Sequence, residues 1–280
     1  MEKKCIMLCI DGIRPDCLLF AQCPNFIKLL HHKHSVYSLH TQTIDTTISA
    51  PAWTAIFTGK TEKRSKLYNN VDISQKHYDF IKKHCFINKL GINASSYISS
   101  WKPFYNFTKQ FTDKTILYDK DDTPVNDKQV FNGLLEDIHS NIDNDIIIGY
   151  FNGIDSAGHK YGFGIEIPEY LEAIMEIDNY LGEILYHIDI HSSMYNTDWQ
   201  IIICSDHGGI QSDYLDKTDI DTLKSYKLDI NGVKGVHGLN IPVLKNTIYI
   251  NNHNGNKHRE LPRMNTTSIY KDIVSFFKTP

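Results

Sequence analysis

Cys5-Ile6-Met7-Leu8-Cys9-Ile10-Asp11-Gly12 is an unbroken apolar run that stops on an acid and a glycine. Lys4 to Ile10 shows no polar alternation, so both faces of such a segment must be covered, as in a buried parallel strand. Asp145 to Tyr150 and Trp199 to Cys204 repeat the pattern, the second closing on Ser205-Asp206-His207-Gly208. Helical patterns lie between these runs. Pro24 to Leu30 reads as a short helix, and Gln75 to Leu90 as a longer one stopped by Gly91 at its C-cap. Val130, Leu134, Leu135 and Ile138 share one helical face, and Pro168 opens a helix in which Leu171, Ile174, Ile177, Leu181, Ile184, Leu185 and Ile188 keep helical spacing. Ser35 to His40 and Thr247 to Ile250 read as strands, and Thr266 or Thr267 caps a closing helix through Phe277. Strands alternating with helices predict an α/β fold with a largely parallel sheet.

A chain of 280 residues buries roughly three quarters of its extended surface, enough for one substantial core. We read 1–280 as a single catalytic domain. A small insertion or loop-rich rim is expected around 92–122, where Tyr97, Trp101, Phe104, Tyr105, Phe107 and Phe111 are scattered among polar residues. A net charge of −4 and a pI near 6.4 provide no basic field for gripping a long nucleic acid. No apolar run approaches the ~20 residues of a membrane span, and Cys5 to Ile10 is too short for a signal-peptide core, so a cytoplasmic protein is expected. The six cysteines contain no Cys-x-x-Cys pair, which argues against a zinc ribbon or a redox motif and fits buried free thiols.

Ile48-Ser49-Ala50-Pro51-Ala52-Trp53-Thr54-Ala55-Ile56-Phe57-Thr58-Gly59 is written like a helix that starts at a strand-end loop. Proline suits the first helical turn, where its missing N–H costs nothing. Ser49 thereby sits at a helix N-terminus, where free N–H groups and the positive end of the macrodipole favour an alkoxide or a phosphate oxygen. A lone Ser-x-Pro is ordinarily only a cap. What raises Ser49 above that is the company of acids and histidines at strand ends, since ligands of parallel α/β sheets bind beyond the carboxyl ends of the strands.

Asp11 ends the first strand, Asp206-His207 the third, and Asp155 follows the middle one. In Gly153-Ile154-Asp155-Ser156-Ala157-Gly158-His159-Lys160-Tyr161-Gly162 a carboxylate and an imidazole stand four residues apart, able to meet on one face of a turn. With His237 in Gly235-Val236-His237-Gly238, these make a mixed carboxylate and imidazole donor set that suits zinc or a neighbouring first-row metal.

The sequence resembles the alkaline phosphatase superfamily, and within it the type I phosphodiesterase / nucleotide pyrophosphatase branch. The resemblance rests on Asp11-Gly12, Ser49-x-Pro51 running to Thr58-Gly59, Asn70, Asp155-x-x-x-His159, Asp206-His207-Gly208 and His237-Gly238, in the family's order. It implies a three-layer α/β/α fold and two divalent ions, most simply Zn2+ with Mn2+ as the alternative. One ion would be held by Asp11, Asp206, His207 and Ser49, the other by Asp155, His159 and His237. Ser49 would be the nucleophile of a covalent phospho-serine intermediate, and Asn70 the amide that donates to a non-bridging phosphate oxygen. Thr46, Thr47 and Thr54 compete for the nucleophile role, but only Ser49 has the family's spacing to Pro51 and Gly59.

The family's usual His-Gly before the asparagine is replaced here by Ser65-Lys66. Sulfatases of the superfamily place an arginine where Trp53 stands, which argues against sulfate esters. The expected activity is therefore phosphodiester or pyrophosphate hydrolysis on a nucleotide or signalling dinucleotide. The alternatives are a phosphomonoesterase, a phosphonate hydrolase, or an inactive nucleotide-binding module.

Overall fold

The computed structural model describes residues 1–118, 124–140 and 143–279. Its strands are β1 (Glu2–Ile10), β2 (Ser35–Gln42), β3 (Ala94–Ile98), β4 (Lys114–Leu117), β5 (Ile146–Phe151), β6 (Thr197–Cys204), β7 (Ile210–Gln211), β8 (Gly235–Val236), β9 (Asn246–Asn252), β10 (Arg259–Glu260) and β11 (Met264–Asn265). Nine of them form one sheet in the order β10-β2-β9-β6-β1-β5-β3-β4, with β11 also on β2, while β7 and β8 pair separately. Within that sheet, among the described residues, the pairings are parallel from β6 through β1, β5 and β3 to β4, and antiparallel where β9 meets β2 and β6. The expected α/β fold with a mainly parallel sheet is therefore present.

Why β1 is apolar throughout is visible in its packing. Ile6, Leu8 and Ile10 enter one core with Val130, Leu134, Ile138 and the inward face of the Pro168–Tyr195 helix. Cys5, Met7 and Cys9 enter the other with Trp53, Phe57, Phe104 and Ile273. A strand's side chains alternate between faces, so a strand clothed by helices on both sides must be apolar at every position. The result is the three-layer α/β/α arrangement.

Four local expectations need correction. Within 92–118 the stretch is not wholly an insertion or rim: β3 and β4 extend the central sheet at its edge, joined by the Lys102–Thr108 helix, and Phe104 and Phe107 are core residues, while 119–122 lie outside the described residues. The helix expected over Gln75 to Leu90 is two helices, Gln75–His84 and Phe86–Leu90, because buried Cys85 adopts extended backbone between them. Gly91 does cap the second in left-handed geometry. The closing helix is Ile269–Lys278, preceded by a single 3-10 turn over Thr266–Ser268, so Ser268 and not a threonine occupies its N-cap. The Asp155 segment is not a bare turn but the Gly153–Tyr161 helix.

Candidate active site

Three adjacent strands, β6, β1 and β5, deliver the acids. Cys9 lies beside Cys204 and Ile10 beside Phe151, so all three strands end at one level about 4.8 Å apart. Asp11 and Asp206 follow β1 and β6 directly, and Asp155 lies in the first turn of the helix that follows β5. Gly12, at φ +69°, lets β1 turn tightly, and its N–H donates to Asp206 Oδ1 at 3.3 Å. Residues from both ends of the chain thus meet at one point.

Ser49 is the first residue of the Ser49–Thr58 helix, whose N-cap is Ile48, so it does not serve as the cap. Its Oγ lies 3.1 Å from His207 Nε2. That same nitrogen is 3.2 Å from Asp206 Oδ2 and 3.4 Å from Asp11 Oδ1. His159 Nε2 stands 3.3 Å from Asp155 Oδ2, and His237 Nε2 4.0 Å from Asp155 Oδ1. The rings of His207 and His237 stack with centroids 3.8 Å apart.

The histidines are fixed from behind. Nδ1 of His159 meets the carbonyl of Gly235 at 2.9 Å, that of His237 the carbonyl of Thr47 at 2.9 Å, and that of His207 its neighbour Gly208 at 3.1 Å. A carbonyl can only accept, so each Nδ1 holds a proton; the Nε2 of His207 and of His237 presents its lone pair to the centre, while that of His159 faces Asp155 Oδ2.

Two buried sets of donors have ligand atoms within 4.8 Å of one another: Asp11, Asp206 and His207, and Asp155, His207 and His237. Asp11 Oδ1, Asp155 Oδ1 and Asp206 Oδ2 are buried with no hydrogen-bond partner. Burial, then the nearby Asp155 charge, pushes Asp11 up to about 8, and burial with Asp11 and Asp155 drives Asp206 well above the carboxylate range. Burial also works against the charge on Asp155, but His159 and its hydrogen bond outweigh it and hold this carboxyl low. Burial pulls His237 down to about 4 and His207 well below its usual value, keeping both imidazoles neutral, whereas Asp155 overcomes burial and lifts His159 to about 9. Clustered acids short of hydrogen bonds, faced by neutral imidazoles, are the donor set that divalent cations satisfy.

Asn70 lines the same cleft of about 480 Å3, together with Ser49, Trp101, Lys160 and His237. Its Oδ1 accepts from the Ala50 N–H at 2.9 Å, which leaves the amide NH2 free to donate. The substituted Ser65-Lys66 segment is held by other means. Lys66 takes the left-handed backbone at φ 61°, its carbonyl meets His77 Nε2 at 3.3 Å, and Asn69 Oδ1 accepts the N–H groups of Val71 and Asp72. Thr47 is fully engaged, donating to Leu239 and accepting from Gly238, and Thr54 donates to Ala50, so neither hydroxyl is free in the manner of Ser49.

Two residues of the surrounding shell escaped the sequence reading. Tyr150 donates its hydroxyl to Asp11 Oδ2, and buried Asp127 accepts the backbone N–H groups of Asn152 (3.1 Å) and Gly153 (2.9 Å), where the Asp155 helix begins. No motif marks them, because one lies inside an apolar strand and the other on an amphipathic helix.

A mostly parallel three-layer sheet with these acids and histidines at its strand ends and a serine opening the facing helix defines an enzyme of the alkaline phosphatase superfamily. More closely, the chain belongs to the type I phosphodiesterase / nucleotide pyrophosphatase family, whose profile matches residues 5–275, and is a hydrolase of that kind. Solved structures agree on the fold. Murine ectonucleotide pyrophosphatase / phosphodiesterase 5, in an inactive threonine-to-alanine form in complex with AMP, superposes with a TM-score of 0.72 at 16% identity, covering 100% of this chain and 96% of that one. The human counterpart superposes with a TM-score of 0.70 at 18% identity, covering 99% and 96%. No curated protein matches the sequence significantly.

Proposed function

We propose that the chain hydrolyses a phosphodiester or pyrophosphate bond of a nucleotide-like substrate, with Ser49 as nucleophile and two divalent cations, most simply Zn2+, as cofactors. The observation that carries this reading is the convergence of two partnerless carboxylate oxygens, Asp11 Oδ1 and Asp206 Oδ2, on the nitrogen that contacts Ser49 Oγ, with a third, Asp155 Oδ1, facing the neighbouring His237. Asp11, Asp206 and His207 with Ser49 would hold one ion, and Asp155, His159 and His237 the other, with His207 grouped closely enough with Asp155 and His237 to support both. Such a pair acidifies the nucleophilic hydroxyl and neutralises charge on the attacking and leaving oxygens.

The chain's own groups supply the rest. Ser49 Oγ, placed by the helix N-terminus, gives up its proton to solvent and attacks phosphorus; the bond from phosphorus to the leaving oxygen breaks, and that oxygen takes a proton from solvent. Water then attacks the phospho-serine, the Ser49 oxygen departs and regains its proton, and the second product leaves. The Asn70 amide donates to a non-bridging oxygen throughout, an interaction whose loss typically costs on the order of 10²–10³ in rate.

A diester is favoured over a monoester by the charges at hand. Lys160 and the His159 imidazolium, already paired with Asp155, are the cationic side chains among the described residues lining the cleft, and nearby Arg14 is spent on Asp16 and on the carbonyls of Phe163 and Gly209. A dianionic monoester asks for more positive charge than that. The cleft volume suits a nucleotide, and the murine relative is described in complex with AMP. All six thiols are unpaired and buried, which supports a reducing, cytoplasmic setting that fractionation of the tagged protein would test.

Turnover of bis(p-nitrophenyl) phosphate with added zinc or manganese tests the reading. We expect hydrolysis that Ser49→Ala abolishes and that exceeds the rate on p-nitrophenyl phosphate. No turnover with either metal, or an unchanged Ser49→Ala, would leave a binding module. A faster monoester rate would make the protein a phosphomonoesterase.

A further inference from the structure

A second cleft, of about 650 Å3, opens at the far end of the Ser49–Thr58 helix. At 1.5 Å per residue it lies about 15 Å along the helix from Ser49, and it shares no lining residue with the active-site cleft. Its walls hold Lys60, Lys82, Lys83, His84, Lys89 and Lys271, and no carboxylate. Among the described residues none of these five lysines forms an ion pair.

The gathering is local, since the chain as a whole is acidic at −4. Lys82 and Lys83 come from the last turn of the Gln75–His84 helix, Lys89 from the Phe86–Leu90 helix and Lys271 from the closing helix, with Lys60 just past Gly59. Each helix C-terminus facing them offsets only about half a charge. The field left over is felt by His84, which burial and then Lys60, Lys83, Arg64 and Lys89 hold below its usual value. Tyr270 supplies a flat wall: its ring lies 5.8 Å from Lys89 Nζ and packs edge-on against Phe86.

We propose that this cleft binds a small soluble oligophosphate, a ligand with several adjacent phosphoryl groups, at a site separate from hydrolysis. Cations that converge on one hollow of nucleotide size suit a compact anion. A long nucleic acid would have to continue over the acidic remainder of the surface, which repels it. The inference does not depend on the role of Ser49.

Fluorescence anisotropy of pyrenetetrasulfonate, a tetra-anionic dye that contains no phosphoester, reads binding to the full metal-loaded chain. We expect inorganic tripolyphosphate to displace the dye. Lys82→Glu/Lys89→Glu should weaken dye binding at least tenfold while bis(p-nitrophenyl) phosphate turnover stays within twofold. Lys28→Glu/Lys33→Glu, the same charge change at exposed positions away from the cleft, should leave dye affinity unchanged. If the glutamate pair fails to fold, Lys82→Gln/Lys89→Gln should still weaken binding about threefold. Equal affinity in the wild type and the cleft variants, or equal loss in the remote variant, would overturn the proposal. Displacement by a single-stranded oligonucleotide at lower phosphate concentration than tripolyphosphate would overturn it in favour of nucleic acid.

Discussion

Gly12 and Asp155 approach so closely that a Cβ on Gly12 would lie 2.7 Å from Asp155 Oδ1. Gly12 also has φ +69°, which an L-residue with a side chain adopts at a cost of about 1–2 kcal/mol. The contact ties the end of β1 to the helix that follows β5, and so sets the separation of the two donor sets. Gly12→Ala is therefore expected to lose about 2 kcal/mol or more in urea denaturation and to lower bound metal per chain. Wild-type stability with full metal content would show that the two elements are free to part.

Tyr150 acts on Asp11 from the side away from the centre. Its hydroxyl occupies Asp11 Oδ2, leaving Oδ1 as the oxygen directed at His207. Its ring stacks on Phe104 at 4.2 Å, so Tyr150→Phe keeps the packing and removes only the donor. Loss of such an outer partner typically costs 10- to 100-fold in activity or metal affinity. We expect that range in diesterase rate, with the unfolding midpoint moving far less than in Gly12→Ala. An unchanged rate would place the tyrosine in the core alone.

What was legible in the sequence follows from where each residue stands. Asp11, Asp206 and His207 end strands whose burial is written into unbroken apolar runs, and Asp155 and His159 share a face because four residues make about one helical turn. Strand β3 was hidden because Ser95 and Ser96 interrupt its apolar pattern. Both are buried and satisfied sideways, Ser95 by Asp137 and Ser96 by Thr112, partners that only the tertiary structure brings near. Asp127 was hidden for a related reason. On a helix otherwise read from its apolar stripe, a lone acid looks like part of the wet face, whereas it is buried beneath the β5 turn.

Asp127 gives the stability a pH dependence of defined sign. Burial, only partly countered by Ser99 and the Asn152 and Gly153 amides, raises its carboxyl from 3.8 to about 6. The folded state therefore holds this proton more tightly than the unfolded chain. The associated stability is complete below about pH 4 and is lost as pH rises through 6, to the extent of about 3 kcal/mol. Asp127→Asn cannot ionise, so the stability of the wild type relative to this variant should fall between pH 4 and 6 and level off above 7. Urea denaturation of both proteins across that range measures it, and a constant difference would refute it.

His207 and His159 should differ in what their loss removes. His207 belongs to both donor sets and its Nε2 touches Ser49, whereas His159 belongs to neither and meets the centre through Asp155 and the ring of His237, with its imidazole partly open to solvent. His207→Ala is thus expected to weaken both metal equivalents and to depress diesterase activity by at least 10²-fold. His159→Ala and His237→Ala should each weaken only one equivalent. Metal content per chain after gel filtration, with zinc titrated back against activity, separates the two outcomes. If His159→Ala empties both positions, the two sites are coupled through Asp155 and not through His207.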